Sequence, residues 1–142
     1  MGDRFRSRNK PRRALTLIEL IIVTSIIAVL AALVVPGLLR TRMVSNEAVA
    51  KATLRTISNA IEMYIAAKGT SPTAEDQLLS PAANPPFLSQ AYDGQTVRGY
   101  AYQYNFDNGY TVTATPQACK RTGSKTFTVT NNQISEAACV EE

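Results

Sequence analysis

From Leu15 to Leu39 the chain carries one charge, Glu19, in an otherwise apolar run with a few weakly polar residues. As a helix, about 25 residues rising ~1.5 Å each would reach about 37 Å, more than the ~30 Å hydrocarbon core of a bilayer. The flanking charges give the run a direction. Residues 1–13 hold six of the fifteen Lys/Arg (Arg4, Arg6, Arg8, Lys10, Arg12, Arg13) against one acid, Asp3, and only Arg40 and Arg42 follow closely behind. The positive-inside bias then leaves the N-terminus in the cytoplasm and places the C-terminal bulk outside. Beyond residue 14 there are nine Lys/Arg against ten Asp/Glu, so the high pI belongs to the leader. Global charge is therefore no argument for nucleic-acid binding.

Glu19 is the anomaly of the run. A carboxylate at mid-bilayer costs at least ~2.5–3.5 kcal/mol, so it needs a partner. In a plain anchor it would sit at the interface and snorkel to the headgroups. A conventional secretory signal would end at a small-x-small site. Here the run passes into Arg40-Thr41-Arg42 and more helix, and reads as retained.

The rest of the composition narrows the chemistry. There is no histidine, which removes the commonest general base and the commonest transition-metal ligand. The two cysteines, Cys119 and Cys139, are too few for a four-ligand metal site. They read as a disulfide if this end lies in an oxidising compartment. No nucleophile motif is present and the carboxylates are scattered, so neither enzymatic activity nor a metal or cofactor is expected. Asp107-Asn108 reads as a turn, not as a calcium site.

"RRALTLIEL", continued by "AALVVPGLL", resembles the class III signal and first helix of type IV prepilins and pseudopilins. The resemblance covers roughly the first fifty residues. It implies cleavage by a prepilin peptidase between Ala14 and Leu15, with Ala14 in place of the usual glycine and Leu15 where phenylalanine or methionine is commoner. It also implies N-methylation of Leu15. Glu19 becomes an assembly residue that pairs with the N-terminal amine of a neighbouring subunit. Desolvated pairing of this kind punishes misregistered subunits more than it stabilises correct ones. Pro36-Gly37 falls at the helix-breaking position of such helices, where a bend or local unwinding is expected on assembly.

Behind the run, residues 40–68 read as an amphipathic helix. Leu54, Ile57, Ile61, Tyr64 and Ile65 form one stripe, with Arg55, Asn59 and Glu62 elsewhere. Glu47 and Lys51 can pair across a turn, and Gly69 is a natural stop. Residues 70–98, which include "SPAANPPF", read as a long surface connection with one short helical turn. "GYAYQYNF", "GYTVTAT" and "KTFTVT" alternate as strands, Asp107-Asn108-Gly109 makes a turn, and Asn131-Asn132 leads into a short "QIS". Tyr100, Tyr102, Tyr104 and Phe106 share a strand face. They could stack for conduction or on single-stranded DNA, but no Lys or Arg interleaves with them, and covering the helix stripe explains them unaided. "GYTVTATP" and "RTGSKTFTV" resemble the C-terminal strand pair of pilin-like proteins. A Cys119–Cys139 bridge would correspond to the disulfide-bounded loop of many pilins. It would be worth about 3 kcal/mol in the chain-entropy model, with Lys120, Arg121 and Lys125 on its rim.

The expected fold is α+β: a long N-terminal helix (15–68) packed on an antiparallel sheet of about four strands. The expected divisions are a cleaved leader (1–14), a membrane or filament-core helix (15–39) and a globular domain (40–142) made of helix 40–68, connection 70–98 and sheet 99–142. The resemblance implies a structural subunit, stored in the inner membrane and polymerised into an extracellular filament for motility, adhesion or DNA uptake. Its partners would be further copies of itself, the prepilin peptidase/N-methyltransferase and an assembly machinery with motor ATPases; direct contact with nucleic acid is not expected. Two alternatives stand beside this reading. One is a type II secretion pseudopilin, against which the cysteines count, because many major pseudopilins lack them and carry a calcium loop. The other is a single-pass membrane binding module that keeps its leader and never polymerises.

Overall fold

In the computed structural model the described residues are 15–79, 83, 85–107 and 109–140. The chain divides into two compact units, Met1–Gly37 and Leu38–Glu142. One helix, α1 (Leu17–Lys68), contributes to both. It ends at Gly69, whose φ of 75° is left-handed and whose N–H donates to the Ile65 carbonyl at 2.8 Å.

In the second unit, α1 buries a stripe at 3–4 spacing: Ala50, Leu54, Ile57, Ala60 and Ile61, with Tyr64 and Ile65 partly covered. The facing sheet has five antiparallel strands in chain order: β1 (Thr96–Val97), β2 (Tyr100–Asn105), β3 (Thr111–Pro116), β4 (Lys125–Thr130) and β5 (Gln133–Ala138). Period-2 alternation decides which side chains enter the core. Tyr100 and Tyr102, then Val112 and Ala114, then Phe127 and Val129 are buried, and the intervening threonines face away. Two of those threonine pairs meet across β3 and β4, Thr111 with Thr130 at 3.3 Å and Thr113 with Thr128 at 3.5 Å. Each buried Leu, Ile or Val contributes roughly 1.5–3 kcal/mol.

Several expectations change in detail. The sheet has five strands, not four, because the two-residue β1 pairs with β2 through a tight turn at Arg98-Gly99. Both turn residues have positive φ, 51° and 77°, which gives the backbone twist that suits a two-residue hairpin. Asn131 and Asn132, at 49° and 61°, make the same kind of turn between β4 and β5. The last strand therefore runs six residues, beyond the short "QIS".

The 70–98 connection is more than surface. It carries a 3₁₀ turn, Glu75–Leu78, and sends Leu78 and Leu88 into the core. Buried Glu75 holds the far end of the loop, accepting the N–H groups of Tyr92 and Asp93 at 2.7 and 3.0 Å. The Glu47–Lys51 pair does not form. Glu47 instead accepts the N–H and hydroxyl of Ser124 at 2.8 and 2.7 Å. Lys51 pairs with Glu136 on β5 and lies 5.0 Å over the Phe127 ring.

Candidate functional site

In the first unit the apolar run is helical and bare. From Leu15 to Leu39 its large apolar side chains are exposed, Leu15 and Leu17 by 78% and 77%. A surface of that extent is stable only against lipid or other apolar helices. By length and composition this helix can span a membrane. Its polar side chains turn back on the backbone: Thr24 donates to the Leu20 carbonyl at 3.0 Å and Ser25 to that of Ile21 at 2.7 Å. No hydroxyl is left without a partner in an apolar setting.

The start of this helix is the chemically distinctive point. Glu19 N–H donates to Thr16 Oγ1 at 3.3 Å, and Thr16 N–H donates to Glu19 Oε2 at 3.5 Å. This is a capping box, in which the residue before the helix and the third residue within it satisfy each other's backbone donors. The carboxylate also sits in the first turn, where the helix dipole favours negative charge. Glu19 is thus held in place by its own chain, four residues from Leu15. A carboxylate offers about four acceptor positions, so the bond to Thr16 leaves capacity for a cation. Sequence reading singled out Glu19 but missed Thr16. The signal was there, since Thr-x-x-Glu ahead of an apolar run is the motif of a capped helix start.

Of the other predicted site residues, Ala14 lies outside the described residues, and Leu15 is the first described one. Pro36 and Gly37 lie inside an uninterrupted α1. Pro36 has no N–H to offer the Ala32 carbonyl, and the unwinding expected of this point is one that accompanies assembly. Cys119 and Cys139 are joined in a disulfide, with Cα atoms 5.7 Å apart. The bridge ties the segment before β4 to the end of β5, and Cys139 N–H donates to the Ser124 carbonyl at 3.1 Å.

The tyrosine face of β2 is core. Tyr100 and Tyr102 are fully buried, and the Tyr100 hydroxyl donates to the Lys125 carbonyl at 2.8 Å. Burial pushes the Tyr104 hydroxyl far above the ordinary phenol range, and the neighbouring Glu75 carboxylate adds to the effect. These rings cover the helix stripe, with Tyr100 and Tyr102 fully buried and Tyr104 in part. Among the described residues no group of three His, Cys, Asp or Glu could hold a metal.

No curated protein and no solved structure matches the chain. Residues 9–35 match the family model for the prokaryotic N-terminal methylation motif, the class III signal peptide of type IV pilin-like proteins, and the helix-on-sheet architecture behind that motif is type IV pilin-like.

Proposed function

We propose that the chain is a structural subunit of a type IV pilus, cut by prepilin peptidase between Ala14 and Leu15, methylated on Leu15 and polymerised through its apolar helix. The observation that supports this reading is the carboxylate of Glu19, held by its capping box in the first turn of the helix, four residues after the point where cleavage would create an amine. Hydrolysis of the Ala14–Leu15 bond frees a cationic α-amine. Within one subunit that amine and Glu19 are about a turn apart. Between subunits the same two groups define a register, because a misaligned neighbour leaves one charge unpaired in an apolar setting. The exposed face from Leu15 to Leu39 supplies the packing, and no catalytic group is required of this chain. Before assembly the same segment would hold the precursor in the inner membrane, with the disulfide-bonded domain outside. Pro36 and Gly37 are where α1 would unwind on assembly.

The test is the intact mass and N-terminal sequence of the protein from its native host. A chain that begins at methylated Leu15, two hydrogen atoms lighter for the disulfide, is expected. A chain that retains Arg12-Arg13 in cells with active prepilin peptidase overturns the reading in favour of a non-polymerising membrane module. A secretion pseudopilus uses the same processing. It is distinguished by loss of secretion, rather than of surface filaments, when the chain is deleted.

A further inference from the structure

Behind the leader, positive charge collects at one place. A cleft of about 740 Å³ is walled on one side by Leu39, Arg42, Met43 and Asn46 of α1, and on the other by the turn that carries Lys120 and Arg121. The four α1 residues follow 3–4 spacing and share one helix face. The turn is held by hydrogen bonds of its own. The Ala118 carbonyl accepts the N–H groups of Arg121 and Thr122 at 3.2 and 2.9 Å. Lys120 has a left-handed φ of 58°, and its N–H donates to the Gly123 carbonyl at 2.8 Å. Asn46 Nδ2 pins the turn to the helix through the Thr122 carbonyl at 2.9 Å, and Cys119 is tied to Cys139. Among the described residues no carboxylate lines the cleft. The adjacent acid on α1, Glu47, is engaged by Ser124. Arg42 and Arg121 make no ion pair among the described residues, whereas Lys51 and Lys125 are both held by Glu136.

We propose that this cleft binds the phosphate of an anionic phospholipid headgroup. A guanidinium matches phosphate oxygens with two parallel hydrogen bonds, and the preformed turn lowers the ordering cost of binding. Leu39 and Met43 give the site an apolar lip suited to the glycerol and first methylenes of a lipid. Leu39 is also the last residue of the apolar run, so the α1 wall starts where that run would leave the hydrocarbon for the headgroup layer. A nucleic-acid backbone would satisfy the same charges, but among the described residues no aromatic side chain lines the cleft to stack a base. The inference rests on the reading that the chain resides in a membrane before assembly.

The test is lipid retention by the full-length chain in neutral detergent, read by native mass spectrometry with phosphatidylglycerol or phosphatidylcholine added. Phosphatidylglycerol is expected to be retained over phosphatidylcholine, and R42Q/R121Q is expected to weaken its retention about tenfold or more. The control R55Q/K68Q removes the same charge elsewhere on the domain and is expected to leave retention unchanged. The arginines of the leader are common to all variants. Equal retention of the two lipids, or equal loss in the control, overturns the proposal. Arginine-dependent binding of a single-stranded oligonucleotide in preference to phosphatidylglycerol overturns it in favour of a nucleic-acid site. The assay needs neither cleavage nor polymerisation. A processed, filament-forming chain without lipid preference therefore fails this inference alone, and an uncut chain that binds phosphatidylglycerol fails only the pilus reading.

Discussion

Under the proposed function Glu19 would combine two tasks that single substitutions separate. As a cap it needs only an acceptor, and glutamine serves there as well. As a partner for an α-amine it needs its charge. E19Q is therefore expected to insert into the membrane with the helix start intact and to form no filaments, as read by electron microscopy of sheared surface fractions. T16V removes the cap's hydroxyl and keeps the charge. It is expected to assemble, with its helix start weakened by about 1 kcal/mol. Normal filaments from E19Q would assign Glu19 to the cap alone. A different residue-scale constraint sits at Gly123, where a Cβ would overlap the Tyr100 hydroxyl and ring. Tyr100 is fully buried and bonded to the Lys125 carbonyl, so it has nowhere to retreat. G123A is expected to destabilise the domain by roughly 1–3 kcal/mol, read from the midpoint of chemical denaturation.

Among the elements, β5 is held least by burial, with only Ile134 partly covered along Gln133–Ala138. Its inner position opposite Phe127 is an acid, Glu136, which Lys51 of α1 and Lys125 of β4 both engage. Hydrogen bonds from Lys125 and then Lys51 lower the Glu136 carboxyl to about 2 from 4.5. A carboxylate with a depressed folded pKa stabilises the fold above its unfolded value, and that stability is lost as pH falls through the folded value. Wild type is therefore expected to lose stability between about pH 4.5 and about pH 2. In E136Q that part of the acid melting curve should flatten. The group is exposed, so the difference should be small and should shrink with added salt. An inward charge on an edge strand also discourages pairing with a second sheet. None of this is written in the local sequence, because Glu136, Lys51 and Lys125 meet only once helix and sheet are packed. The stripe from Leu54 to Ile65 and the alternation in β2 to β4 were legible, since periodicity records burial directly. β1 was not: two residues carry no period, and nothing in Arg98-Gly99 announces a left-handed φ at the arginine. Glu75 was equally silent, because its partners are backbone N–H groups 17 and 18 residues away.

At the scale of the whole chain, the described hydrophobic core lies within Leu38–Glu142, while the large apolar side chains of the run before it are exposed. A chain that begins at Leu38 is therefore expected to be a soluble monomer by analytical ultracentrifugation. Its thermal midpoint should lie within a few degrees of that of the full chain in detergent. Aggregation or loss of ellipticity in the truncated chain would show that the first unit contributes to folding as well as to anchoring. The site was partly legible for the same reason of scale. A lone charge in an apolar run is visible in one dimension, whereas the cleft at Arg42 and Arg121 needs two segments far apart in sequence. Strand order adds a consequence of a different kind. Each strand pairs with the one before it in the chain, so as the polypeptide is made every new strand finds its template already laid down. Such a sheet grows by local closure and needs no long search. Cys139 arrives directly after the final strand, and its partner Cys119 must wait through both β4 and β5. The native bridge can therefore close only after the last strand has been made.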